Sequence, residues 1–128
     1  MSIILSINPK WVKLIYEGKK KIEWRKSFPK IDNDTTVFIY ETAPVKKITG
    51  YFITSETCWL ISDIMHNDRA IIEAGCVSRE ELVKYKGKNE CLFGWTVSKP
   101  HKANCPMPIA DFDMERPPQS WCYTEVDV

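Results

Sequence analysis

The sequence has no Cys-x-x-Cys pair, only two histidines, no long apolar run and a formal net charge of just +1. Each lack removes a class of function. No apolar stretch approaches the roughly 18 residues that a spanning helix needs, so no membrane partner is expected. Five cysteines (Cys58, Cys76, Cys91, Cys105 and Cys122) are an odd number and widely scattered, which fits reduced thiols better than a disulfide framework. His101-x-x-x-Cys105 is the one close His/Cys pair, and two further ligands for a closed tetrahedral site are missing nearby, so no metal and no cofactor is expected. His66 and His101 lack partner spacing and read as surface or loop residues, and no Ser-His or Cys-His constellation is spelled. There is no internal repeat, low-complexity tract or linker. The first residues carry no basic run and are broken by Asn8-Pro9, so they read as a strand and not a signal peptide, with a cytoplasmic location expected.

What is present is a 128-residue chain, 44% hydrophobic and 27% charged, suited to one domain over 1–128 with one core. Its charges are unevenly placed. Residues 1–30 hold eight basic side chains against two acidic ones, residues 84–102 five against one, and residues 111–128 one against five. A basic face of this kind concentrates a polyanion, although Lys86 and Lys88 also suit ordinary solvated surface.

Ser2–Ile7 reads as a buried strand, and Asn8-Pro9 as an N-cap followed by proline at the first helical position. Trp11, Leu14 and Ile15 recur at helical spacing until Gly18, with Lys10, Lys13 and Glu17 on the wet side. From Lys19 to Lys26 the period becomes two, with Ile22 and Trp24 on one face and Lys21, Glu23 and Arg25 on the other. Strands are expected over 36–40, 47–54, 91–97 and 120–126 and helices over 60–74 and 78–87, the latter opened by the capping box Ser78-x-x-Glu81. The proline-rich stretch 100–118 reads as an ordered but irregular excursion. The pattern is α+β, with a mainly antiparallel, strongly curved sheet or small barrel and helices at its rim.

On the charged strand face Lys21, Glu23 and Arg25 can converge on one ligand, with Lys20 at the strand entrance. Arg25 offers a planar fork for phosphate or a guanine edge, Lys20 a mobile point charge, and Glu23 an acceptor for an exocyclic amine or a partner for Arg25. The same residues also suit a structural ion pair on a sheet surface. Trp24 is core by alternation. Trp121 and Tyr123 share one face of the last strand beside Gln119, as stacking a splayed base and reading its edge requires, though core packing is the default for each aromatic.

The segment Gly18-Lys19-Lys20-Lys21-Ile22-Glu23-Trp24-Arg25 has the form G-x-K-x-x-E-x-R, entering a strand after a short helix. It resembles the signature of the ASCH domain family, relatives of the PUA domains of RNA-modifying enzymes. Tyr40–Gly50 looks like the family's second strand pair, and Pro117-Pro118-Gln119-Ser120-Trp121 like the closing motif of a bacterial and phage subgroup. The resemblance implies a PUA-like curved antiparallel β-barrel whose cleft accepts RNA or a modified nucleotide, with contacts from Lys20, Lys21, Glu23, Arg25, Gln119, Ser120 and Trp121. Some bacterial members look like small amidohydrolases acting on N4-acetylcytidine, and at least one is described as a ribonuclease. The amidohydrolase-like members present a threonine where this chain has Glu23. The leading expectation is therefore a binding module. A hydrolase using Lys20 and Glu23 as an acid–base pair stands second, and a protein-interaction module of phage or mobile-element origin third. A deep pocket holding Lys20 and Glu23 would favour chemistry or a single nucleotide, and an open basic groove a strand.

Overall fold

Asn8 and Pro9 set the first corner of the chain. The Asn8 side chain accepts from Lys10 N–H at 2.9 Å and Pro9 occupies the first helical turn, so β1 (Ser2–Ile7) passes directly into α1 (Pro9–Tyr16). The structure, a computed structural model, describes residues 1–55, 57–60 and 69–127, with the backbone only for 57–60. Gly18, at a φ of +75°, turns the chain out of α1 toward β2 (Ile22–Arg25). Then come β3 (Thr35–Glu41), β4 (Lys47–Thr54), β5 (Thr57–Leu60), α2 (Arg69–Ala74), α3 (Arg79–Lys86), β6 (Leu92–Thr96), β7 (Ser98–Met107), a 3₁₀ turn (Ile109–Phe112) and β8 (Trp121–Thr124). Ser78 caps α3 as its motif predicts: Ser78 Oγ accepts from Glu81 N–H at 3.1 Å and donates to Glu81 Oε1 at 3.2 Å, a side-chain bond in place of the backbone half of the capping box.

The strands form a five-stranded sheet in the order β7-β4-β3-β1-β8 and a three-stranded sheet in the order β2-β6-β5. The architecture is mixed α/β with short helices, and strand pairing among the described residues does not close either sheet into a ring. Nor is the pairing wholly antiparallel. β1 runs parallel to β3, because the chain crosses over through α1 and β2 between them, while β1–β8, β3–β4, β4–β7, β2–β6 and β5–β6 are antiparallel.

Every residue of β1 is buried because both faces of its sheet are covered. On one side Ile3, Leu5 and Ile7 pack with Val12 and Ile15 of α1 and with Trp95 of β6, which ties the two sheets together. On the other, Ile4 joins Phe38, Ile48 and Phe112 of the 3₁₀ turn. A third cluster sets Ile22 and Trp24 of β2 and Leu92 of β6 against Ile72 of α2 and Leu82 of α3. Each fully buried side chain of this size contributes roughly 1.5–3 kcal/mol, so these three clusters fix where β2 and the helices sit.

Two expected elements differ. Residues 98–107, read as irregular from their prolines, form the ten-residue strand β7. It lies at the sheet edge and meets β4 through two register shifts, positions where the missing N–H groups of Pro100 and Pro106 leave no ladder bond broken. The helix expected over 60–74 is confined within the described residues to Arg69–Ala74, with Leu60 in β5; residues 61–68, including His66, lie outside them.

Candidate functional site

The turn after Gly18 decides which lysine faces inward. Lys19 N–H and Lys20 N–H both donate to Leu14 O, at 2.9 and 3.1 Å, holding the turn against the end of α1. Lys21 is then fixed by its backbone, donating to Ala74 O at 2.7 Å and accepting from Val97 N–H at 2.9 Å, and its side chain is exposed. Lys20 instead turns inward and is 1% exposed. Regular strand pairing begins only at Ile22, opposite Thr96 of β6.

Lys20, Glu23 and Arg25 meet in the wall of a cavity of about 310 Å³. Lys20 Nζ lies 3.5 Å from Glu23 Oε1, donates to Gly75 O and sits 4.7 Å from the centre of the Trp11 ring. Arg25 holds the other carboxylate oxygen, with Nε and Nη2 each 2.9 Å from Glu23 Oε2. Its remaining donors reach Ser6 O on β1 and Ser120 Oγ, the latter at 3.3 Å. Arg25 is thus a strut between the two sheets as well as a charge. The face of β2 expected to be wet is covered, and Glu23 is 4% exposed.

The other walls come from distant parts of the chain. β1 supplies Ser6, α1 and its cap Trp11 and Asn8, α3 Leu82 and Tyr85, and Val77, Thr42 and Trp24 complete the lining. Lys26 Nζ stands 4.8 Å over the Tyr85 ring at the same side. Burial disfavours the charged form of Lys20 and holds its pKa below the ordinary lysine value, with Glu23 pulling in the opposite direction. Burial likewise raises the Tyr85 hydroxyl, the nearby Arg25 charge working against it. The lining contains two cations and one carboxylate in largely apolar and aromatic surroundings, an excess of one positive charge.

Of the expected site residues, the structure brings Lys20, Glu23, Arg25 and Ser120 together. Lys21 and Gln119 are exposed and do not line the cavity. Trp121 is half-buried outside it: its ring packs edge-on against Trp95 and Tyr123 at 6.0 and 5.3 Å, and its Nε1 donates to Ser27 Oγ at 2.8 Å. Asn8, Trp11, Val77, Leu82 and Tyr85 carried no functional signal in the sequence; the first read as a cap and Trp11 as a helix-packing residue. His101 and Cys105 are exposed on β7, and no group of three or more His, Cys, Asp or Glu among the described residues could hold a metal ion. Among the same residues no helix is long and apolar enough to cross a membrane.

The ASCH domain model matches residues 5–97, well over half of the chain. A curated relative from Zymomonas mobilis, named an ASCH domain-containing ribonuclease, is 35% identical over 48 residues, which is 38% of this chain and 32% of that protein. The matched stretch therefore spans about a third of the relative's length. The crystal structure of ASCH from Zymomonas mobilis superposes with a TM-score of 0.82 at 20% identity, covering 97% of this chain and 87% of that one. A point variant of the Zymomonas mobilis protein gives 0.81 at 21% identity over 97% and 90%. At such identities the likeness is one of fold.

Proposed function

The chain belongs to the ASCH domain family, and from that premise we propose that its Lys20–Glu23–Arg25 cavity binds a single nucleotide unit presented by RNA. The observation that carries this reading is the unbalanced positive charge inside an aromatic-walled cavity. A phosphodiester brings one negative charge and a base brings a flat apolar face, so one nucleotide complements both features. The volume lies at the small end of the range for ligand pockets, which suits one unit better than a strand laid in a groove. The basic balance of residues 1–30 supplies long-range attraction for the rest of the polyanion, and the Zymomonas mobilis relative named a ribonuclease makes RNA the first substrate to try.

A second reading, phosphodiester cleavage at the same place, is favoured by Lys20. A lowered pKa raises the share of neutral amine, which can accept the proton of an attacking ribose hydroxyl. The new P–O bond forms, the bond to the leaving oxygen breaks, and that oxygen takes a proton from water. Titrating a fluorescein-labelled single-stranded octaribonucleotide by anisotropy, with gel analysis of the same samples, separates the two. Saturable binding that Lys20→Met weakens at least about tenfold supports the cavity as the site. Cleavage lost in the same variant selects the second reading, and absence of both rejects the RNA assignment.

A further inference from the structure

The corner between α2 and α3 is fastened to the turn that carries Lys20 at three points. Lys21 N–H donates to Ala74 O at 2.7 Å, Cys76 Sγ donates to Lys19 O at 3.4 Å, and Lys20 Nζ donates to Gly75 O. Gly75 comes down so closely on Trp24 that a Cβ added to it would stand 2.4 Å from Trp24 Nε1 and 2.8 Å from its Cδ1. These are ring atoms of a side chain packed with Ile22, Ile72, Leu82 and Leu92, so they have nowhere to retreat. The φ of Gly75 does not fall among the positive values recorded for Gly18 and Gly87, so contact with Trp24, not backbone angle, selects glycine here.

We infer that Gly75 is a positioning residue for Lys20: its missing side chain lets its backbone close on the Trp24 ring and so brings its carbonyl to where it holds the Lys20 ammonium in the cavity wall. The inference rests on the reading of that cavity as the nucleotide site and says what keeps its cation in place. Three groups compete for Nζ: the Gly75 carbonyl, the Glu23 carboxylate and the Trp11 face. Without the carbonyl the ammonium is drawn into closer contact with Glu23, and an anion entering the cavity then meets a cation already neutralised. The arrangement leaves a trace on Trp24. Its Nε1 is the one buried side-chain nitrogen or oxygen without a hydrogen-bond partner among the described residues, so this ring is held for its shape at the expense of its donor.

The test combines the titration of Lys20, followed by NMR of lysine labelled at Cε and Nζ, with octaribonucleotide affinity, in Gly75→Ala, Trp24→Leu and the double variant. Glu23, Arg25 and Cys76, the charged and titratable groups that face Lys20, are unchanged throughout, so a moved titration reports displacement of the amine. Gly75→Ala should raise the midpoint by about one pH unit and weaken RNA about tenfold. With leucine at 24 the ring atoms are gone, and the same Gly75→Ala change should alter affinity less than about twofold and leave the midpoint where Trp24→Leu alone puts it. An unmoved midpoint in Gly75→Ala, or equal effects in both backgrounds, overturns the inference. If Gly75→Ala does not fold, folding of the double variant supports it, and failure of both while Trp24→Leu folds overturns it. Absence of RNA binding by the unaltered protein rejects the proposed function, and the titration still decides the role of Gly75.

Discussion

Glu23 faces Lys20 across 3.5 Å with one carboxylate oxygen and gives the other to Arg25, so a single anion serves two cations in a place almost sealed from water. The two partners of the pair are therefore not equivalent. Replacing Glu23 strands both cations, whereas replacing Lys20 leaves Glu23 still paired with Arg25. We expect Glu23→Gln to cost about 3 kcal/mol or more and Lys20→Met about 1 kcal/mol or less, since removing one member of a buried pair is costly only when the other is left uncompensated. Urea unfolding midpoints at neutral pH measure both; equal losses would mean that Arg25 does not share the carboxylate.

Stability in alkali should rise and then fall. Lys20 titrates below its ordinary value of 10.5 when folded, so between the two values the unfolded chain binds more protons and stability increases with pH. Tyr16 acts in the opposite sense. Its hydroxyl, 2.7 Å from Thr49 Oγ1, is pushed from 10.0 to about 12, chiefly by burial, so its contribution is complete below pH 10 and disappears as pH climbs toward 12. Unfolding free energies measured from pH 7 to alkaline pH should lose the rise in Lys20→Met and show a shallower fall in Tyr16→Phe, the remaining fall belonging to Tyr85, whose hydroxyl burial also raises.

Signals that act within one turn of chain were legible in the sequence. Asn8-Pro9, Gly18 and Ser78-x-x-Glu81 each place an element end where the hydrogen bonds put it, because a cap is satisfied by residues two or three positions away. Alternation succeeded for Trp24 and failed for Lys21. The period of two holds only where a strand is paired, and before Ile22 the chain follows the end of α1, which points Lys20 inward and Lys21 out. The far wall was not legible at all. Val77, Leu82 and Tyr85 lie more than fifty residues from Lys20, and only the packing of α2 and α3 on β2 brings them there. β7 was hidden for another reason: its prolines carry the composition of a loop, and what admits them to a strand is an edge position that no local pattern records.

Two glycines of β4 and the α1 turn should respond differently to the same substitution. A Cβ at Gly50 would lie 2.2 Å from His101 O, 2.6 Å from Tyr16 Oη and 3.0 Å from Lys102 Cα, two of these being backbone atoms of β7. Gly50→Ala must therefore push β7 off β4 or dislodge the Tyr16–Thr49 bond, at a cost of about 3 kcal/mol or more. Gly18 has nothing within 4 Å, and alanine there meets only the strain of its +75° φ, about 1 kcal/mol. Thermal melts of the two variants should separate clearly, with Gly50→Ala the lower.

The last expectation concerns how the cavity and the charged surface share the work of holding RNA. Lys20 lines the cavity, where its charge acts through a medium of low polarity, so Lys20→Met should remove on the order of 1–3 kcal/mol of affinity. Lys21 is exposed and outside the cavity, so its charge is screened by salt and serves only as one of several contacts to phosphate. If four to six phosphates of a single strand are contacted, the log–log dependence of affinity on salt has a slope of about −3 to −4. Lys21→Ala should then flatten that slope by no more than about one while lowering affinity little at high salt. Lys20→Met should lower affinity at every salt concentration, because the interaction it removes is buried. Anisotropy titrations of the two variants across a salt series distinguish these patterns. Parallel lines displaced equally for both lysines would place the whole of the affinity on the surface and none in the cavity.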